Sequence, residues 1–278
     1  MQYTNVKITI VVDNLAGEGL VAEHGLSLWI ENEDDRVLFD TGQGGAFANN
    51  ARALDIDLRK TDMLVLSHGH YDHTGGIPYV LQHVRNVNIY GHPGMVQPRY
   101  SIRNDTATPI QMPRKSMMVI DKLPSEQLHW VRKPIFLSDK IGITGPIPRE
   151  TSFEDPGGPF YLNPRGEIVD HVDDDLALWI RTDDGLIVCV GCAHSGLVNT
   201  LDYISYLNEG LRIRAVIGGF HLHNASRQRL DESIAALRLL QPEKMIPCHC
   251  TGETAVTILR EGLGDRVSSG VAGMTYLF

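Results

Sequence analysis

Three histidines and one aspartate fall within six residues in the run LVLSHGHYDHTGG, which extends from Leu64 to Gly76 in a chain of only 12 histidines. An apolar stretch leads into the run and small residues follow it. On an extended loop His68 and His70 project to the same side and can share one metal ion. Asp72 and His73 lie one turn further on and can hold a second ion beside it. Imidazole nitrogen together with carboxylate oxygen suits Zn, Fe(II) or Mn(II). Two such ions about 3.5–4 Å apart can bridge a hydroxide or clamp a phosphoryl group. A turn of histidines satisfied only by local hydrogen bonds gives no reason for this density.

The remaining ligands must come from later in the chain. Candidates are Cys192 and His194 in GCAHSG, His221 and His223 in GGFHLH, and His249 in PCHCTG. Each follows an apolar run, as His68 does. One alone reads equally well as a buried core histidine; together they favour coordination or support of the coordinating residues. Cys189 and Cys192 are three apart on an expected strand and so face opposite sides, which disfavours a zinc knuckle or a redox pair. Cys248 and Cys250 flank His249 and, on an extended chain, point away from the side it serves. Cys192 is therefore expected near a metal, and the other three cysteines in the packing.

Strands and loops have to carry these residues to one place. Alternation and turn residues predict strands at 6–12, 26–31, 36–39, 63–67 and 87–90, then at 141–144, 176–181, 186–190, 215–217, 245–247 and 274–277. The bounding turns include Asp34-Asp35, Asp184-Gly185 and Gly218-Gly219. Apolar spacing of three and four predicts helices near 46–54, 77–83, 197–208, 231–240 and 254–261. There is also an internal echo. LSLWIENEDDRVLFDTG begins at Leu26 and LALWIRTDDGLIVCVGC at Leu176, each a strand, an acidic turn and a second strand ending at a Gly-containing loop. Hairpins can look alike by chance; the alternative is an old duplication, with two halves facing each other across a cleft. Residues 93–164 differ from the rest, being proline-rich and weakly periodic, with Arg99, Arg103, Arg114, Lys115, Arg132, Lys133 and Arg149. They read either as a cap over the site or as a solvated basic surface.

Composition bounds the partners. The chain has 278 residues, 42% hydrophobic and 21% charged, which is globular and excludes coiled coil or disorder. A formal net charge of -9 argues against a nucleic-acid binder, since phosphate-backbone affinity comes from Lys and Arg. It leaves room for a small phosphorylated substrate held by a local arginine or a metal. No apolar run has the length of a membrane span, and the start MQYTNVKITIVVDN lacks a basic segment followed by an apolar core. Four cysteines make no disulfide framework, so the expectation is a cytoplasmic protein without a membrane partner. No heptad or apolar stripe sets an oligomeric state.

HGHYDH resembles the H-x-H-x-D-H signature of the metallo-β-lactamase superfamily, and Asp40 in FDTG resembles its structural aspartate before the metal loop. The resemblance implies an α/β (α+β) fold, an αββα sandwich of two mixed sheets with outer helices and pseudo-duplicated halves. Residues 1–278 then read as one domain, with 93–164 an elaboration or cap within it. EHGLSLWIE, LFDTGQ, LSHGHYDHTGG, TGPIPRETSFE, DDLALWI, GCAHSGLVNTL, VIGGFHL and PCHCTG resemble, more narrowly, the subfamily of a methanopterin-pathway synthase. That enzyme type joins a dihydropterin methyl diphosphate to ribofuranosylaminobenzene 5′-phosphate. Two departures stand out. The superfamily's lone histidine before its fourth motif falls near His171, which lies in the acidic run DHVDDD, so His194 is expected in its place. The bridging aspartate falls at Gly191-Cys192, where a thiolate would favour a softer metal and an unfilled place would weaken one site.

The resemblance implies one or two divalent ions, Zn first, with Fe or Mn permitted. His68, His70 and His194 would hold one, and Asp72, His73 and His249 the other. Cys192 and His221 would be further ligands or supporting groups, His221 facing the substrate as a proton carrier. Arg149 would hold substrate phosphate, and Asp40 would support the metal loop. The chemistry is then that of a metal-dependent transferase displacing diphosphate, or of a hydrolase of a phosphoester or other small-molecule ester. Outside enzymes, an idle metal- or ligand-binding sensor has the same ligand set.

Overall fold

The computed structural model describes residues 6–33, 35–84 and 86–278; the expected turn residue Asp34 lies outside them. The chain opens with β1 (Val6–Val12), β2 (Ser27–Asn32) and β3 (Asp35–Phe39), paired antiparallel, then adds β4 (Met63–Val65) and β5 (Asn88–Gly91) in parallel. Parallel neighbours need a crossover. Helix α1 (Phe47–Ala53) lies between β3 and β4, and α2 (Tyr71–Thr74) with α3 (Ile77–His83) between β4 and β5. The middle of the chain holds β6 (Tyr100–Arg103), β7 (Thr106–Pro109), α4 (Arg114–Ile120), β8 (Leu128–Trp130), β9 (Ile135–Phe136), β10 (Ile141–Ile143) and β11 (Phe160–Tyr161). The second half runs through β12 (Ala177–Thr182), β13 (Gly185–Val190), α5 (Leu197–Leu207), β14 (Ile213–Gly219), α6 (Arg227–Leu240), β15 (Lys244–Cys248), α7 (Glu253–Leu263) and β16 (Thr275–Leu277).

Two large sheets result, ordered β16-β1-β2-β3-β4-β5-β8 and β15-β14-β13-β12-β10-β9. Alternation decides which way each strand faces. Leu28 and Ile30 from the first sheet and Leu178 and Ile180 from the second meet in the core between the sheets. Trp29 turns outward under α1 and α3, and Trp179 outward under α5, α6 and α7. The four layers are therefore helix, sheet, sheet, helix, as expected.

The echo extends to register. Leu28 pairs with Phe39 and Ile30 with Val37; Leu178 pairs with Cys189 and Ile180 with Ile187. Around each hairpin the pairing senses also match: β1-β2-β3-β4-β5 and β10-β12-β13-β14-β15 both run antiparallel, antiparallel, parallel, parallel.

Residues 93–164 do not behave as one appendage. Strand β8 extends the first sheet beside β5, and β9 and β10 extend the second beside β12. Buried Ile141 and Ile143 make that part core. Only β6, β7 and β11 stand apart, as a three-stranded sheet. No helix among the described residues is long and apolar enough to cross a membrane.

Candidate metal centre

Strand ends deliver the donors. Asp40 follows β3, His68 and His70 follow β4, Cys192 and His194 follow β13, His221 follows β14 and His249 follows β15. At four of these ends the chain turns through a non-glycine residue in the left-handed region: Asp40 (φ 59°), Ala193 (φ 49°), His221 (φ 45°) and His249 (φ 48°). That conformation carries a steric cost outside glycine and persists where surrounding contacts over-determine the turn.

Asp40 is the hub of the contacts behind the loop. Its Oδ1 accepts from the Ser67 backbone N–H (2.8 Å), and its Oδ2 from the Ser67 hydroxyl (2.6 Å) and His73 Nδ1 (2.7 Å). Because the Ser67 hydroxyl proton goes to Asp40, Ser67 Oγ accepts from His68 Nδ1 at 2.8 Å. His194 Nδ1 donates to the Pro156 carbonyl (2.7 Å), and His249 Nδ1 to Asn14 Oδ1 (2.7 Å). In all four rings the Nδ1 proton is committed to an acceptor behind the ring. Nε2 is thereby left facing the centre, the arrangement by which outer contacts fix a metal-binding tautomer. His70 presents the other nitrogen: its Nδ1 lies 2.9 Å from His68 Nε2.

Burial and mutual repulsion keep His68, His70 and His194 well below the usual histidine range, so all three are neutral with a lone pair to offer. Burial also pulls His73 down, but the Asp40 and Asp72 carboxylates outweigh it and take its pKa up to about 9. Burial alone would lift the Asp72 carboxyl; His73, His24 and His249 outweigh it and hold it well below the carboxylate range. Asp72 Oδ2 lies 3.0 Å from His24 Nε2 and 3.4 Å from His249 Nε2.

The donor set fits divalent cations. Ligand atoms of His68, Cys192 and His194 lie within 4.8 Å of one another, as do those of His73, Cys192 and His249, and those of His24, Asp72 and His249. Cys192 Sγ stands 3.1 Å from His73 Nε2 and belongs to both of the first two groups. His194 Nε2, the nitrogen turned toward the centre, is buried without a hydrogen-bond partner among the described residues, which native interiors seldom leave unanswered.

His24, His70, Asp72, Cys192, His194 and His249 line an open cavity of about 410 Å³ together with Tyr71, Phe160 and Ile110, while His68 and His73 are fully buried and do not line it. Ser101 and Arg103 reach it from β6, and His223 from the loop after β14.

Two expectations from the sequence, for Arg149 and for Cys250, need correction. Arg149 does not line the cavity. Its guanidinium donates to the carbonyl of His194 (2.6 Å) and to that of His171, so it braces the loop after β13. Arg103 is the arginine on the cavity wall, and it has no acidic partner among the described residues. Arg99, from the same basic stretch, is 1% exposed and paired with Asp170 (3.0 Å) and Asp174. Asp174 accepts from the Gly69 backbone N–H at 2.8 Å, so this buried pair anchors the histidine loop. Cys250 is not turned away into the packing. Residues 249–251 form a 3-10 turn rather than an extended chain, and Cys250 lines the cavity. Cys189 and Cys248 are buried in the core between the sheets, as expected. His171 is exposed and outside the donor groups, whereas His194 is inside them.

His24 was missed because it follows no strand. Its only signal is a position in EHGLSLWIE, two residues before the apolar run.

Comparison with known proteins agrees with this geometry. Residues 21–249 match the family described as the metallo-beta-lactamase superfamily. The chain is 32% identical, over 92% of its length and 91% of the relative's, to the 7,8-dihydropterin-6-methyl-4-(beta-D-ribofuranosyl)-aminobenzene-5'-phosphate synthase of Methanocaldococcus jannaschii. A solved structure described as Tm1679, a metal-dependent hydrolase of the beta-lactamase superfamily, superposes with a TM-score of 0.82 at 29% identity, covering 98% of each chain. A diphosphatase from the PhnP family shares the fold at 15% identity and a TM-score of 0.55, covering 100% of this chain and 98% of that one. The motif, the layers and these matches agree: the chain belongs to the metallo-β-lactamase superfamily, whose fold implies divalent metal binding.

Proposed function

We propose that the chain is a metal-dependent enzyme acting on a phosphorylated small molecule. In this reading one ion is held by His68, His70 and His194, another by Asp72, His73 and His249, with Cys192 between them. The observation that carries the reading is the set of imidazoles of His68, His73, His194 and His249, each held from behind through Nδ1, gathered at a cavity whose wall bears Arg103, an arginine with no acidic partner among the described residues. A divalent metal bound there supplies Lewis-acid charge to phosphate oxygens or lowers the pKa of bound water.

The chain's own residues do the rest. Arg103, free of carboxylates, holds a substrate phosphate in the fork geometry that guanidinium favours. Tyr71 and Phe160 give flat walls against which a planar ring can lie. Asp40 and Ser67 hold the metal loop in one tautomeric state while charge shifts in the substrate.

The reaction favoured by the synthase relative is displacement: an arylamine nitrogen attacks the methylene carbon of a pterin methyl diphosphate, the carbon–oxygen bond to diphosphate breaks, and the amine loses a proton. Hydrolysis of a phosphoester is the second reading, favoured by the hydrolase description of the structural neighbour.

One assay separates them. Metal-replete protein is given the pterin diphosphate with and without the arylamine ribose phosphate, and diphosphate release is followed. Amine-dependent release supports the synthase reading. Amine-independent release, or phosphate release from simple monoesters, supports the hydrolase. Full metal content without turnover of any phosphorylated compound would leave a binding or sensor protein and end the enzyme reading.

A further inference from the structure

We propose that Cys192, His221 and Cys250 form a soft-cation site of their own, a two-sulfur, one-nitrogen set on the cavity floor that shares Cys192 with the histidine centre. Their ligand atoms lie within 4.8 Å of one another and all three residues are buried. Glycines make the room. A Cβ on Gly157 would sit 1.9 Å from His221 Cδ2, and one on Gly219 would sit 2.6 Å from Cys250 Sγ. The imidazole and the thiol thus lie against bare backbone, in space that any other residue would fill.

His221 gives an independent indication. It is 8% exposed, and neither Nδ1 nor Nε2 makes a hydrogen bond of regular geometry among the described residues, the Cys250 thiol being the polar group set beside its ring. Its backbone also holds the left-handed φ of 45°. Two costs therefore fall on one residue, and a cation accepting a ring lone pair removes one of them. Cys250 contributes through the turn at 249–251, which brings its thiol to within 3.9 Å of the Cys192 carbonyl.

Two sulfurs and one imidazole are softer than the nitrogen and carboxylate ligands beside them, so this position suits Zn(II), Cd(II) or Cu(I) over Mn(II) or Mg(II). Binding sends to solvent one proton from each cysteine that enters as a thiol. His221 then acts as a ligand rather than as a proton carrier. None of this depends on which reaction the histidine centre performs.

The test is a Co(II) titration of the full-length, metal-stripped and reduced protein. It reads total bound cobalt together with thiolate-to-cobalt charge-transfer absorption in the near ultraviolet. The wild type is expected to show the intensity of two thiolates per chain. Cys250→Ser should lose about half of it while keeping cobalt at the imidazoles, His221→Gln should weaken the sulfur-bound cobalt about tenfold or more, and Cys189→Ser should match the wild type. Undiminished intensity in Cys250→Ser overturns the proposal, as does a wild type that binds cobalt without the absorption band. Should Cys250→Ser fail to fold, ¹¹³Cd NMR of the wild type decides. A resonance in the two-thiolate range supports the site, and resonances only in the nitrogen, oxygen or single-thiolate ranges overturn it.

Discussion

Asp40 accepts three hydrogen bonds through two oxygens, from the Ser67 N–H, the Ser67 hydroxyl and His73 Nδ1. An amide at that position turns a donor toward a donor. Asp40→Asn is therefore expected to weaken metal binding about 10–100-fold with the fold retained, measured by competition with a coloured chelator. The two arginines separate in the same way. Arg103→Gln should raise KM for a phosphorylated substrate about 10–100-fold at unchanged metal content. Arg149→Gln should instead lower metal content, because it releases the carbonyl of His194. The histidine loop was legible because its residue types are scarce and crowded into six positions. Arg103 was not, since nothing local distinguishes it from Arg99 or Arg149. One of these is buried against two aspartates, one braces a loop and one faces the cavity, and only distant residues such as Asp174 and His194 decide which.

Between residue and fold, the segments that flank the strands bury carboxyl groups as well as metal-binding residue types. Asp175, just before β12, accepts from the Ser195 N–H at 2.8 Å, and burial pushes its pKa up to about 7 from an ordinary 3.8. Its folded value lies above its unfolded one, so the folded chain binds this proton more tightly. The stability it contributes is full below the ordinary value and is lost as pH rises toward 7. Asp175→Asn is expected to flatten that part of the pH–stability curve, checked by denaturant melts of chelator-treated wild type and variant from pH 4 to pH 8. The buried strands were readable from the alternation in LSLWIE and LALWI, which also sends Trp29 and Trp179 outward. Strands β6, β7 and β11 were not. Only Phe160 among their residues is buried, the rest being half-buried or, as in most of Thr106–Pro109, exposed, and their pairing is fixed by a hairpin and a distant partner rather than by an apolar face.

At the scale of the whole molecule, the donors come from both sheets: His68, His70, Asp72 and His73 from the first, and Cys192, His194, His221 and His249 from the second. A cation held between them ties the halves together and binds only the folded state. Removing it by chelation is expected to lower the thermal midpoint by about 5 °C if the free metal had stood near a hundred times its dissociation constant, as scanning calorimetry would record. The internal echo made the two-halved plan legible, since hairpin and register repeat together. How the halves meet was not, because the contacts between the sheets belong to neither copy alone. The chain order of the donors also governs synthesis. A ribosome releases His68, His70, Asp72 and His73 long before His249, and β1 waits for β16, the last of the described strands, to complete its sheet. A nascent chain therefore holds only part of the candidate donor set between the emergence of His73 and that of His249. The candidate set is complete only once the turn after β15 has emerged, so metal capture is expected to come after both sheets have been synthesised up to β15.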